Sequence, residues 1–249
     1  MGCFGIRQGW GEGVKHVFRF LGRLNDGAWV IDDASEVEHI RKVLRLVGGT
    51  EVEVFDGQGT WGLGHIETVG KDQVDVTVKR QEAVKRRERP LSVAMGAVKP
   101  GDMDDVIPAL TELGADSVHV FYQEGGDPGR LGPKVQERWR RIVLAAAKQC
   151  KRAWLPEIHI HESLPGLIAA TGVAGGKYFG AAEAKKHLVA EDVGEDGSLV
   201  VLGSERGLNP TEEKALVDAG FEAVSFGDYV LRARTAAIAA MAILASRRG

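Results

Sequence analysis

The hydrophobic rhythm of the chain changes near residue 90. Before that point apolar residues come in short runs, at residues 17–21, 28–31, 50–55, 61–67 and 73–78. In Glu51-Val52-Glu53-Val54 and Val74-Asp75-Val76-Thr77-Val78 the period is two, the mark of a strand with one buried and one wet face. Asn25-Asp26-Gly27, Asp56-Gly57-Gln58-Gly59 and Gly70-Lys71-Asp72 punctuate these runs as turns. Strands this short and this regularly interrupted predict a small antiparallel barrel. One helical stretch breaks the series, over residues 35–46, where Val37, Ile40, Val43, Leu44 and Val47 form an apolar stripe.

After Pro90 the texture becomes alternating strand and helix. Strands are predicted at residues 91–98, 117–122, 158–160, 177–181 and 199–202, and helices at 102–113, 133–151, 163–170 and 235–246. Pro108 falls inside the first of these helices and predicts a kink or irregular first turns. The helix over 133–151 turns Val135, Trp139, Ile142, Val143, Ala146 and Cys150 inward and Arg138, Arg140, Arg141, Lys148, Lys151 and Arg152 outward. The last helix is almost purely Ala, Ile, Leu and Met, so it is buried either in the core or against a partner subunit. A barrel followed by α/β order predicts two domains, residues 1–85 and 86–249, with the boundary between 80 and 90.

Two turns in the second part read as one site. Leu202-Gly203-Ser204-Glu205-Arg206-Gly207-Leu208 and Leu231-Arg232-Ala233-Arg234-Thr235-Ala236 each follow a short apolar run and lead into a helical pattern. That is how α/β proteins present ligand loops at strand ends. Gly203 and Gly207 let backbone approach a ligand closely. Asn209, Pro210 and Glu212 supply a helix cap, a first helical residue and a capping-box partner, and Gly220 closes that helix. On local pattern alone the alternative is a plain strand-to-helix turn.

Composition narrows the function classes. With 249 residues, 44% hydrophobic and 27% charged, the chain has the make-up of a globular protein with a sizeable core. It carries no apolar run of membrane-spanning length and no signal-peptide core, so no membrane and a cytoplasmic location are expected. Met1-Gly2-Cys3 lacks the Ser or Thr that myristoylation requires at position 6, where Ile6 stands. Two cysteines make neither a disulfide framework nor a metal cluster. His159 and His161 alternate on a strand without a visible third ligand, so no metal is expected. A net charge of −3 argues against indiscriminate coating of nucleic acid and requires any phosphate contacts to be clustered. Two clusters exist: His39, Arg41, Lys42 and Arg45 on the first helix, and Lys79-Arg80 with Lys85-Arg86-Arg87-Glu88-Arg89 at the boundary. Each is either a solvated charged segment or a phosphate-contacting surface.

Several blocks in a shared order then resemble one family. They are His39-Ile40-Arg41-Lys42-Val43-Leu44-Arg45 and Phe55-Asp56-Gly57-Gln58-Gly59 in the first part. In the second they are Lys99, Met103-Asp104, Thr111-Glu112-Leu113-Gly114, Glu137-Arg138-Trp139, the stretch from Gln149 to Arg152, Leu155-Pro156 and the two turns above. The chain is similar to the bacterial small-subunit ribosomal RNA methyltransferases that act on N3 of a uridine, within the SPOUT superfamily. The resemblance implies a PUA-like RNA-binding β-barrel joined to an α/β domain with a trefoil knot. It also implies S-adenosyl-L-methionine as methyl donor, 16S ribosomal RNA within the small subunit or its precursor as substrate, and a homodimer. The donor site that it implies comprises Gly180, Ala181, Leu202, Gly203, Ser204, Glu205, Gly207, Leu208, Phe226, Gly227, Leu231 and Arg232. The sequence departs from the family at Arg206 and Arg234, which replace a glycine and an acid, at Ala109, and at Gln123-Glu124-Gly125-Gly126, where the family carries a basic segment.

The chemistry such a reaction needs is modest. Methyl transfer from a sulfonium is an in-line displacement favoured by holding the reactants at attack distance. Uridine N3 must lose a proton, so a base or a stabiliser of the anion is useful. Glu205 is the candidate base, or else it caps backbone amides of its own turn; Arg232 and Arg234 are candidates for stabilising charge on the base carbonyls. Because N3 lies on the pairing edge, the target must be unpaired or extruded. Arg41, Arg45, Arg86, Arg87, Arg138 and Arg152 are the candidate phosphate contacts. An alternative reading is an RNA-binding protein of the same fold, or a methyltransferase with a different target nucleotide.

Overall fold

The alternating runs of the N-terminal part form β1 (Phe18–Leu21), β2 (Arg23–Asn25), β3 (Ala28–Ile31), β4 (Glu51–Phe55), β5 (Thr60–Val69) and β6 (Val74–Ala83). In this computed structural model the described residues are 17–25, 27–97, 99–123, 131–172, 175–191 and 193–248. The Met1-Gly2-Cys3 start, Asp26, Val98 and residues 124–126 lie outside them. The sheet order is β1-β4-β5-β6-β3-β2. Its pairs are antiparallel except β1 with β4, which is parallel and departs from the all-antiparallel barrel expected. The two edge strands are separated in sequence by Gly22 alone, so the sheet curls until its edges are one continuous stretch of chain. At that joint Gly22 N donates to Phe55 O at 2.9 Å. A Cβ there would stand 3.0 Å from Val30 O, so glycine suits the close approach. Phe20, Trp29, Ile31, Val37, Ile40, Val52, Val54, Ile66, Val74 and Val76 fill the interior.

Two sequence expectations fail here for physical reasons. The single helix over 35–46 is instead α1 (Ala34–Glu38), capped by Asp33, followed by a π-helical segment, His39–Leu44. A π turn advances its pattern by i→i+5 rather than i→i+4, so a stripe spaced for 3.6 residues no longer keeps to one face. Val37 and Ile40 are buried, but Val43 and Val47 are 65% and 66% exposed. Arg45, at φ 52°, ends the segment in the left-handed region. Lys79 and Arg80, expected beyond the last strand, lie within β6, where Arg80 pairs with Glu82.

The first compact unit takes the described residues up to Arg86 and also Lys151–Trp154. Trp154 explains that short inclusion. Its indole donates to Val84 O at 2.8 Å, and a Cβ on Gly59 would fall 2.5 Å from its ring. Arg19 is buried beside it, donating to Arg152 O at 3.1 Å with its guanidinium over the Phe55 ring.

The second unit, Arg87–Cys150 and Leu155–Arg248, holds the α/β part. Its strands are β7 (Leu91–Gly96), β8 (Ser117–Phe121), β9 (Glu157–His161), β10 (Gly176–Gly180), β11 (Ser198–Leu202) and β12 (Glu222–Val224). Their order is β12-β10-β11-β7-β8-β9, and every pair is parallel. The helices are α2 (Pro100–Glu112), α3 (Pro133–Gln149), α4 (Leu164–Ala170), α5 (Pro210–Asp218) and α6 (Ala233–Arg247). Leu91, Val93, Met95, Val118, Val120, Val200 and Leu202 face a core that includes residues of α2, α3 and α6. Ala94, Phe121, Phe179, Leu199 and Val201 face a second core with α4 and α5. Both faces are therefore covered, as a parallel sheet requires. Helix α2 continues through Pro108. The apolar α6 buries Ala236, Ala237, Ala240, Met241 and Leu244 in its own unit, while Arg248 beyond it forms a buried ion pair with Asp116.

A polar chain crosses the second face of this sheet. Ser92 Oγ and Ser117 Oγ are 2.7 Å apart, Ser117 Oγ and His119 Nε2 2.8 Å, and His119 Nδ1 and His161 Nε2 2.9 Å. His159 stacks on His119 at 4.9 Å between ring centroids. Burial, then the neighbouring His159 and His161, push His119 down to about 3 from the usual 6.5, so it is neutral in the folded protein. In the unfolded chain it takes up a proton as pH falls below 6.5, which favours unfolding by about 1.4 kcal/mol per pH unit until the folded value is reached. The urea midpoint of the wild type is therefore expected to fall between pH 6.5 and 5, and His119→Gln to flatten that slope. Parallel slopes for the two proteins would refute the assignment.

Candidate functional site

The ends of β10, β11 and β12 bring the chain entering the first predicted turn close to Phe226, five residues before the second. A Cβ on Gly180 would lie 2.6 Å from Leu202 Cδ2 and 2.9 Å from Phe226 Cε2, so the three strand ends are in close contact. Ala181 N donates to Val224 O at 2.9 Å, and Ser225 N donates to Lys186 O at 2.8 Å. Ser225 Oγ also lies 2.9 Å from His187 Nδ1. Of the residues proposed from sequence, Gly180, Ala181, Leu202 and Phe226 thus form one cluster, and the turn after Leu202 begins from it.

That turn is tight. Gly207 N donates to Ser204 O at 2.9 Å, which leaves Glu205 and Arg206 at its exposed tip, and Gly207 has φ 74°. Gly203 is buried against the returning limb; a Cβ there would meet Gly207 C at 2.2 Å and Leu208 N at 2.6 Å. Beyond it the capping box read from sequence is present: Glu212 N donates to Asn209 Oδ1, and Asn209 N to Glu212 Oε2, both at 2.9 Å.

Gln123, just past β8, joins this turn and was not foreseen as part of it. Its Oε1 accepts from Ser204 N at 2.9 Å, and its Nε2 donates to Gly207 O at 2.9 Å and to Glu212 Oε2 at 2.8 Å. Nothing local in Tyr122-Gln123 announces these bonds, because the partners lie more than eighty positions away. A cleft of about 260 Å³ opens beside Gln123, Asn209 and Glu212, with Ser163 and Pro165 at the start of α4 on its other side.

The second turn is more open. Gly227 has φ 139° with nothing near its Cβ position, and Tyr229 and Val230 are 86% and 83% exposed. Leu231 is half-buried and Arg232 is an exposed N-cap of α6. Arg234 reaches Asp105 on α2 at 3.3 Å. Among the described residues neither the Glu205 nor the Arg206 side chain has an ion pair, and Glu205 accepts no hydrogen bond from a backbone amide of its turn.

The candidate phosphate contacts are divided between the two units, Arg41, Arg45, Arg86 and Arg152 in the first and Arg87 and Arg138 in the second. Arg41 and Arg45 are exposed on the π segment, Arg41 donating to Lys71 O at 3.1 Å. Arg86 lies over the Trp154 ring at 5.5 Å, and the Arg152 guanidinium is turned to Trp154 O. In the second unit Arg138 pairs with Asp104 near the start of α2, whereas Arg87 approaches Gly114 beyond its end. These two lie roughly 15 Å apart along that helix. Among the described residues no group of three ligating side chains could hold a metal, and no helix is long and apolar enough to cross a membrane.

Comparison with known proteins identifies the class. Residues 85–245 match the RNA methyltransferase domain family, and residues 31–79 match the RNA methyltransferase PUA domain. A two-domain RNA methyltransferase, with the strand-end turns in its catalytic domain, is therefore what fold and sequence define. The ribosomal RNA small subunit methyltransferase E of Mycobacterium bovis is 32% identical over 232 residues, covering 89% of this chain and 88% of the relative. The chain belongs to the ribosomal RNA small subunit methyltransferase E family. Its fold is shared with the enzyme of that name from Neisseria gonorrhoeae bound to S-adenosyl methionine, at TM-score 0.80, 22% identity and coverage of 91% and 96% of the two chains. A probable rRNA-methyltransferase from Porphyromonas gingivalis aligns with TM-score 0.78 at 25% identity, covering 90% of this chain and 95% of that one.

The glycine contacts give a direct test of the turn. Gly203→Ala forces a Cβ against backbone and is expected to cost about 1–3 kcal/mol, lowering Tm by several degrees. Gly101→Ala, in α2 with open space around its Cβ, is expected to raise Tm slightly. Equal Tm values for the two variants would contradict the close packing at Gly203.

Proposed function

We propose that this protein transfers a methyl group from S-adenosyl-L-methionine to N3 of a uridine in 16S ribosomal RNA, working as a cytoplasmic homodimer on the small subunit or its precursor. The observation that carries the reading is the convergence of Gly180, Leu202 and Phe226 with the turns that follow β11 and β12, in a chain of this family.

The residues fit such a donor. Gly207 and Gly227 have open space where a Cβ would stand, so main chain lies accessible along both turns. Gly180, Ala181, the stretch from Leu202 to Leu208, and Phe226, Gly227, Leu231 and Arg232 would hold it, in the knotted part of the chain that the family resemblance implies. Bound there, S-adenosyl-L-methionine would supply an electrophilic methyl group. The chain itself holds the acceptor base in line and disposes of the N3 proton. Glu205, at the exposed turn tip, is the candidate acceptor of that proton. Arg232 is better placed than Arg234 to stabilise charge on the base carbonyls, because Arg234 is paired with Asp105. The exposed Tyr229 and Val230, beside these arginines, suit a face that a second subunit or RNA covers.

Arg41 and Arg45 are the freest of the candidate phosphate contacts, whereas Arg138 and Arg152 are engaged within their own units. Replacing Arg41 and Arg45 is expected to reduce the slope of log affinity against log salt by about 1 to 2, and replacing Arg138 and Arg152 by less. Mass spectrometry of 16S ribosomal RNA from cells with and without the gene is expected to show loss of one N3-methyluridine. Calorimetry is expected to show S-adenosyl-L-methionine binding to the isolated protein. Unchanged methylation would refute the assigned reaction, and absent binding would refute the assigned donor.

A further inference from the structure

We infer that Gln123 is the positioning residue of the methyl-donor turn: its one carboxamide fixes both limbs of Ser204–Gly207 and ties them to the start of α5. The inference rests on the donor reading above and adds to it a residue outside both turns.

The carboxamide is used at every position. Oε1 takes the Ser204 amide proton, and the two Nε2 protons go to Gly207 O and Glu212 Oε2. These partners fix which end is which. A flipped amide would set a donor against Ser204 N–H and an acceptor against both Gly207 O and the Glu212 carboxylate, three repulsive contacts in place of three bonds. Glu212 Oε2 also receives Asn209 N, so the same carboxylate oxygen links the turn, the α5 cap and Gln123. Glu212 is buried at 9% exposure, which makes its partners costly to remove.

Space for this arrangement is kept open by a neighbouring strand end. A Cβ on Gly96, the last residue of β7, would fall 2.4 Å from Gln123 Oε1 and 2.6 Å from Ser204 N. Three strand ends are thus committed to one bond set: β7 by leaving room, β8 by delivering Gln123, and β11 by delivering the turn. The consequence for binding is preorganisation. Ser204 N and Gly207 O are already occupied, and the tip amides of Glu205 and Arg206 form no hydrogen bond among the described residues. A ligand meets a turn whose shape is set beforehand and does not have to order it.

The test uses the whole protein. Gln123→Glu keeps the shape but loses both donors and faces a carboxylate with another carboxylate. Gln123→Met fills about the same volume with neither hydrogen-bonding group. The expected result is a donor Kd and donor KM raised by both variants, at least about tenfold by Gln123→Glu, with an RNA KM within about twofold of wild type. A purely structural role would lower the active fraction, and with it kcat, at unchanged donor KM; that pattern overturns the inference, as does a Gln123→Met variant with the donor KM of the wild type. Where Gln123→Glu does not fold, Gln123→Ala is read by the same criteria, since it removes the three bonds without adding charge. A wild type that binds donor while the variants bind equally well overturns this inference alone. A wild type that binds none removes the donor reading and the inference with it.

Discussion

Parallel pairing of β7 to β12 is the constraint on which the second unit depends. A parallel strand cannot return by a hairpin, so each must be followed by a crossover, and all exits fall on one edge of the sheet. The register then decides which exits meet. Gly180 pairs with Val224, and Phe179 with Val201, so β10 leaves the sheet between the turns after β11 and β12. The site is a consequence of that register. A slip of one residue would exchange the two faces of β11, trading Val200 and Leu202 for Leu199 and Val201 across two different cores. Tight apolar packing on both faces is what forbids it.

In the sequence the elements with strong local signals were legible, and those set by distant partners were not. Asn209, Pro210 and Glu212 announced α5, and Val135, Trp139 and Val143 announced α3, because capping and helical periodicity are carried within a few residues. The turn from Gly203 to Gly207 was visible for the same reason. Gln123 was not, since its role depends on partners in a turn far along the chain and on an absence, the missing side chain of Gly96. His119 was passed over likewise: its neighbours His159 and His161 lie on an adjacent strand, and only pairing of β8 with β9 brings the rings into contact.

The first unit shows how a correct class of signal still misplaces side chains. Val37, Ile40, Val43 and Leu44 do have helical spacing, but the chain tightens into α1 and then widens into a π segment ended by Arg45. Two valines expected inside consequently stand outside among Arg41, Lys42 and Arg45. Trp154 is the converse case. It lies just beyond the helix expected over residues 133–151, yet its indole covers Gly59 and bonds Val84 O, in a unit whose described residues outside Lys151–Trp154 all precede Arg87. The Asp56-Gly57-Gln58-Gly59 block is glycine-rich partly because an aromatic ring occupies the space a side chain would need.

Arg206 and Arg234, where the sequence reading expects departures from the family pattern, fall on different physical footings. Arg234 is directed to Asp105 on α2, an exposed pair of the kind worth less than about 1 kcal/mol that nonetheless turns its guanidinium toward that helix. Arg206 is carried on the tip of a turn whose limbs are both bonded to Gln123, itself bonded to Glu212. The limbs beneath it are thus bonded, while its side chain has no ion pair among the described residues, a combination that lets a cation act on one approaching group without disturbing the turn. A glycine at that place would leave the tip accessible on all sides; an arginine makes approach charge-dependent. The bonds from Gln123 to Ser204 N and Gly207 O hold the chain on either side of that tip.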